Sequence, residues 1–149
     1  MTGKRRLTIE EDDGTHLMAV YVEVGGLDFD NADLSGLCAI GVNNLKGKSF
    51  RGAILYWANL SSSDVGSCDF ENADFRGAVL LGTMLVGANL RGAKLGKDML
   101  GGSTRIQGAN FSSAQLHGAD LQGALYDEYT IFPVGFIPES AGCVYAGSS

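Results

Sequence analysis

Two histidines, three cysteines and 17 carboxylates are the side chains through which this chain of 149 residues could do chemistry. His16 and His117 could act as general bases or metal ligands, but neither has a cysteine or carboxylate at a spacing that would pair with it. Both read as surface histidines. Cys38, Cys68 and Cys143 show neither zinc-ligand spacing nor a disulfide framework. Cys38 and Cys68 fall where small inward residues recur, so they read as buried substitutes for alanine. The aspartates recur at one place in a short repeat, where a carboxylate bonds backbone amides at bends. That makes them turn residues rather than paired catalytic acids. Gly101 and Gly102 precede no phosphate-binding lysine motif. No catalytic, metal or cofactor residues are therefore assigned, and an enzyme is not expected.

The elements that position these groups follow from a period of five. Large apolar or aromatic residues stand at Phe29 and Leu34. They continue from Ile40 through Leu45, Phe50, Leu55, Leu60, Val65, Phe70, Phe75, Leu80, Leu85, Leu90, Leu95 and Leu100, and then from Ile106 through Phe111, Leu116, Leu121 and Tyr126. The phase slips by one residue before Ile40 and again before Ile106. Two residues before most of these centres stands Ala, Ser, Thr or Cys, and Leu27, Asn43, Lys48 and Asp98 are the exceptions. Asp or Asn often precedes the centre, and Gly often follows it by two. In a helix a five-residue step would rotate the centre by about 140°, and in a strand it would flip it to the other face. A chain that bends once per unit keeps the centre and the small residue inward every time. Four bends close one turn, giving about five coils and a rod roughly 24 Å long at the inter-strand spacing.

This pattern over residues 27–128, clearest in Ala88–Leu95 and Ala109–Leu125, resembles the pentapeptide-repeat family. The resemblance implies an all-β fold, a right-handed quadrilateral β-helix. Indexing by four places Phe29, Phe50, Phe70, Leu90 and Phe111 on one wall and Leu34, Leu55, Phe75, Leu95 and Leu116 on the next, with Leu60, Leu80 and Leu100 in one column. Residues 1–26 read as an N-terminal β-hairpin cap, with strands from Arg6 to Glu11 and Leu17 to Val24 about an Asp13-Gly14 turn. Residues 129–149 read as an irregular C-terminal cap and tail, frayed after about Ser140. Lys48 and Asp98 fall at nominally inward corners on opposite walls, two coils apart. Burying either charge alone would be unfavourable, so their corners are expected to open toward water.

Outward positions need not be apolar for the rod to form, which makes Tyr56, Trp57, Val79, Leu81, Met84, Val86 and Met99 informative. The indexing places Tyr56 and Trp57 on the second wall, Val79, Leu81 and Met99 on the third, and Met84 and Val86 around the next corner. An apolar cluster of this kind marks an interface with a partner protein or a second copy in a homodimer, or else a surface covered by this chain's own N-terminal hairpin or C-terminal tail. The alternative surface is acidic: Asp28, Asp30, Asp33, Asp69, Glu71 and Asp74. Some members of the family resemble duplex DNA and bind type II topoisomerases such as gyrase, and an immunity protein that neutralises a toxin is a further alternative. Duplex DNA carries one charge per about 1.7 Å, so a 24 Å mimic would need about fourteen, against a net charge of -6 here. Arg51, Arg76 and Arg91 also interrupt the acidic surface.

With 45% hydrophobic and 19% charged residues the chain suits one globular domain, and the net negative charge disfavours direct nucleic-acid binding. The Lys4-Arg5-Arg6 run is followed at once by acidic residues, and Leu17 to Val24 is too short to span a bilayer. A cytoplasmic, non-enzymatic interaction scaffold with no cofactor and no membrane partner is the expectation.

Overall fold

The computed structural model describes residues 3–10, 16–24 and 28–147. β1 (Gly3–Glu10) and β2 (His16–Val24) pair antiparallel, with Leu7 opposite Val20. This is the expected hairpin, begun three residues earlier than the alternation suggested. Its Asp13-Gly14 turn lies outside the described residues. Leu7 is buried and belongs to the same apolar cluster as the repeat centres, so β1 lies against the repeats.

From residue 28 onward the described chain forms no helix and is held by parallel β-bridges, one per wall per coil. Asp33 pairs with Ile54, Ile54 with Asp74, Asp74 with Lys94 and Lys94 with Asp120. The chain is the quadrilateral β-helix that its period dictates. Each corner is a β-turn in which the carbonyl of a centre accepts the N–H three residues on, as from Ala53 to Phe50 at 3.0 Å. The second residue after the centre takes the left-handed conformation, which suits glycine. At Gly52 glycine is required twice, because φ is +64° and a Cβ would lie 2.4 Å from Asn31 Oδ1 in the coil below.

Inside, one large and one small side chain per unit fill a narrow shaft. Phe29, Phe50 and Phe70 form a stacked ladder with centroids 5.4 and 5.2 Å apart, the ring column expected on this wall. Alanines at the small position are buried throughout the central coils. Where Ser63, Cys68, Thr83 or Thr104 replaces alanine, the side chain donates to a carbonyl of an earlier coil. Thr83 Oγ1 reaches Leu60 O at 2.9 Å, and Ser63 Oγ bonds Ala39 O. The shaft therefore admits polar atoms without leaving them unsatisfied.

The structure corrects the frame at two places. The bridge from Cys38 to Asn59 puts Ala39, not Ile40, beneath Leu60; Ile40 is exposed, and Leu37 fills the small position. The slip thus lies between Ala39 and Leu45, where Val42 turns inward in place of Asn43. The second correction is larger. Leu80 N–H bonds Arg105 O at 2.7 Å, so Ile106 stands over Leu80, while Leu100 is 86% exposed. Six residues, about Lys97 to Gly102, are an inserted loop. The fifth members of the first two walls are consequently Leu116 and Leu121, reached through Asn89 to Gln115 and Lys94 to Asp120, rather than Phe111 and Leu116. Phe111 stands over Leu85.

After Tyr126 the tail is more regular than its composition suggested. Ile131 pairs with Asn110, and Phe132 stacks on Phe111 at 5.9 Å and on Phe136 at 5.0 Å. The chain then returns: β3 (Leu125–Tyr126) pairs in parallel with β4 (Val144–Tyr145), and Cys143 is buried. Residues 140–147 are tied into the ladder instead of fraying.

Two substitutions test this frame. Phe50→Ala, in the middle of the ring ladder and 2% exposed, is expected to lower unfolding free energy by about 3–5 kcal/mol. Leu100→Ala is expected to change it by less than about 0.5 kcal/mol. Urea denaturation followed by circular dichroism gives both values, and a large loss at Leu100 would restore the uncorrected frame.

Candidate protein-interaction site

The inserted loop is organised by one side chain. Asp98 Oδ1 accepts the backbone N–H groups of Leu100 at 2.9 Å and Gly102 at 2.7 Å, and Asp98 N–H donates to Gly102 O at 2.8 Å. Its other oxygen accepts Trp57 Nε1 at 2.8 Å, from a residue two coils away along the corner. Between them lies Gly77, where a Cβ would stand 2.5 Å from Trp57 Cδ1 and 2.9 Å from Asp98 Oδ2. Loop and indole thus cross a glycine floor.

Trp57 itself occupies the corner position that favours glycine, with φ of +56°. For a bulky residue this conformation costs about 1–2 kcal/mol. Its ring meets Tyr56 edge-on at 5.3 Å, and Arg76 lies over the Tyr56 ring at 4.9 Å. Arg76 is in turn fixed by Asp74, with Nη2 to Oδ2 at 2.6 Å and Nε to Oδ1 at 2.9 Å. Desolvation, the largest single influence on the Asp74 carboxyl, raises its pKa, but the hydrogen bonds and charge of Arg76 outweigh it and hold the group below its usual value. A strained, half-exposed indole is therefore framed by an ordered cation and an ordered loop.

Among the sequence-predicted patch residues, Trp57 is 54% exposed and Met99 87% exposed, and the structure brings them to one corner through Asp98. Met99 lies in the loop, not on the third wall. Val79 and Leu81 do lie on that wall but are half-buried, while Met84 and Val86 are exposed beyond the following corner. Leu100 was missed as a site residue because it fits the five-residue frame, and Asp98 because its misfit reads as a corner opening toward water. The one signal was a charged Asp98 where a small residue belongs.

The acidic candidates are committed to the turns. Asp28 accepts Ser49 N–H at 2.9 Å, Asp30 accepts Arg51 N–H at 3.0 Å, Asp33 accepts Ser35 N–H at 3.0 Å and Asp69 accepts Glu71 N–H at 3.1 Å. Arg51 spans Asp69 at 3.5 Å and Glu71 at 3.2 Å, and Arg76 clasps Asp74. The surface is a set of capped bends cross-linked by guanidinium groups.

Among the cysteines, Cys68 is buried as expected, its thiol donating to Leu45 O at 3.0 Å and raised to about 11 by burial. Cys38 corrects its expectation: it is exposed, because the shifted frame puts it at the outward position before Ala39. Lys48 and Asp98 do not meet, and Asp98 is not at an inward corner at all. His117 is exposed, and of His16 only the backbone, in β2, is described. Among the described residues no group of three metal-ligating side chains occurs, and no helix is long and apolar enough to cross a membrane.

The family model for pentapeptide repeats matches residues 53–92 and 103–125 in 8 copies, and the gap between the two stretches contains the inserted loop. The chain belongs to the pentapeptide-repeat family. Its fold resembles that of the pentapeptide-repeat protein Rfr23 from the cyanobacterium Cyanothece 51142, with a TM-score of 0.62 and 30% identity over 67% of this chain and 63% of that one. The chain therefore spans less than two thirds of that relative's length. A pentapeptide-repeat protein of the Arabidopsis thaliana thylakoid lumen aligns at 27% identity and a TM-score of 0.44, covering 68% of this chain and 60% of its own. QnrB1, a plasmid-mediated fluoroquinolone resistance protein, aligns in a trypsin-treated form at 22% identity and a TM-score of 0.36, covering 80% and 77%. Among curated proteins no match was found.

The bond from Trp57 holds the Asp98 carboxyl below its ordinary value of 3.8, with the Gly102 and Leu100 amides acting in the same direction. A carboxyl lowered by folding stabilises the loop above its unfolded value, and that contribution is lost as pH falls through the folded one. Trp57 is the single tryptophan, so its fluorescence is expected to change in acid with a midpoint below 3.8. The Asp98→Asn protein, compared over the same range, is expected to lack that transition. Identical titrations of both proteins would remove Asp98 as the anchor.

Proposed function

We propose that this protein is a non-enzymatic scaffold that recognises another protein through the corner formed by Trp57, Met99 and Leu100. The single observation that carries this reading is a loop with two large apolar side chains at its tip, 87% and 86% exposed, held in place by the Asp98 bond to Trp57. A disordered insertion could expose such residues without consequence. An ordered one keeps apolar area in water that association would remove, at roughly 25 cal/mol per Å². Aromatic and methionine side chains around an ordered arginine also match the composition of an interface centre.

The acidic surface supports recognition less well. Backbone amides fix its carboxylates at turn positions rather than at phosphate spacing, and Arg51 and Arg76 offset part of their charge. The filled shaft, for its part, offers no interior room for a substrate.

Proximity labelling or crosslinking in cells that contain the protein, followed by quantitative binding to the purified partner, tests the corner. The double variant Met99→Ser with Leu100→Ser is expected to lose about 2 kcal/mol of binding, roughly thirtyfold, while its unfolding midpoint stays that of the parent. Met84→Ser, on a different wall, is expected to bind as the parent does. Undiminished binding by the double variant would place recognition elsewhere, and sedimentation of the parent alone separates a foreign partner from self-association.

A further inference from the structure

On the wall of Phe29, Phe50, Phe70, Leu90 and Leu116, the same backbone bonds join each coil to the next. Leu90 N–H reaches Gln115 O at 2.8 Å, Gln115 N–H reaches Ala88 O at 2.9 Å, and Gly92 N–H reaches His117 O at 3.1 Å. One coil later the equivalent groups, Leu116 N–H, Ala114 C=O and Gly118 N–H, have no hydrogen-bond partner among the described residues. The tail does not take that place. It crosses by way of Phe132 and Phe136 and rejoins the ladder over other walls, where Gly123 N–H meets Gly142 O and Val144 N–H meets Ala124 O, both at 2.8 Å. Between tail and edge lies a cleft of about 320 Å³ lined by Ala114, Leu116, His117, Pro133, Val134 and Phe136.

We infer that this open edge binds an extended segment of a partner protein, added in parallel as one more rung of the wall. The register is already set by the coils beneath: the incoming backbone donates to Ala114 C=O and accepts from Leu116 and Gly118. Its central side chain lies over Leu116 beside Phe136 and must be apolar. The residue after it is acidic, because the column just past the centres runs Asp30, Arg51, Glu71, Arg91 and His117, so that nothing above Arg91 in it offers that cation a carboxylate. Lower in that column Arg51 bonds Glu71 at 3.2 Å. Arg91 and His117 are both exposed and have no carboxylate partner among the described residues. This site is separate from the Trp57 corner, and either can fail without the other.

The probe is the capped nonapeptide Gly-Ser-Ala-Asn-Leu-Glu-Gly-Ser-Gly, titrated into the ¹⁵N-labelled full chain. The Leu116 and Gly118 amide signals are expected to move and their hydrogen exchange to slow. N-methylation of the peptide's Asn, which removes the donor to Ala114 C=O, is expected to weaken binding at least about tenfold, as are Leu→Ser and Glu→Lys in the peptide. In the Arg91→Glu, His117→Glu protein the preference between the Glu and Lys peptides is expected to reverse. Three outcomes would each overturn the inference: amides unmoved at millimolar peptide, equal binding of the N-methylated peptide, or shifts that follow protein concentration alone, in which case a second copy fills the edge.

Discussion

The width of the shaft governs everything else in this molecule. Four chain segments surround it, and each can send in one large side chain and one small one per coil before the interior is full. Phe29, Phe50 and Phe70 stack because the coil spacing leaves their rings no other arrangement, with centroids 5.4 and 5.2 Å apart. Ala53, Ala58, Ala73 and Ala78 are fully buried because a larger group would push the opposing walls outward. Even the polar replacements obey this limit. Ser63, Thr83 and Thr104 are small enough to enter, and each spends its hydroxyl on a carbonyl of an earlier coil. Contacts run almost entirely between neighbouring coils, so stability is a sum of adjacent interfaces rather than the property of a single centre.

The same constraint determines what the corners do with charge. A chain that turns a corner every five residues must satisfy an amide at each bend, and an Asp or Asn before the centre does so two residues ahead. The Asp33, Asn59, Asp64, Asp69, Asp74, Asn89, Asn110 and Asp120 side chains all accept that bond. A protein with a net charge of -6 therefore carries much of its acidity as turn chemistry. Arg51 and Arg76 then sit where those carboxylates already are, and lower the field further.

The rod was legible in the sequence because its constraint is local and repeated, so every quintet votes for the same frame. The errors came where the frame has a remainder. Six inserted residues equal one unit plus one, so the insertion after Leu95 reads as a slip of a single residue and Leu100 passes as a centre. Ile40 fits the period better than Ala39 for a related reason, since size alone does not reveal that Leu37 fills the small position before Ala39. In both places a misfit was visible: Asp98 and Asn43 stand where the shaft tolerates neither. The Trp57 corner was half legible. Exposure of an aromatic outside the frame could be inferred, but its tie to Asp98 depends on a loop folding back across Gly77, which no period announces.

A repeat fold gives an independent way of weighing its irregular parts. Each wall is built by the same rule, so a residue that satisfies the rule reports on the rod and one that breaks it has to be maintained by something else. Trp57 takes a corner that glycine would fill without strain, a conformation less favourable by about 1–2 kcal/mol. Removing the loop would leave an ordinary unit between Leu95 and Ile106 and would cover no less of the shaft, because Met99 and Leu100 contribute nothing to it. The Asp98 bonds offset part of the strain, yet they would be unnecessary without the loop that they order. Stability alone gives no reason for this arrangement. The two departures, a strained indole and an inserted strip, meet across a corner glycine that follows the rule, and the contact surface proposed above would supply the reason that the rod itself does not.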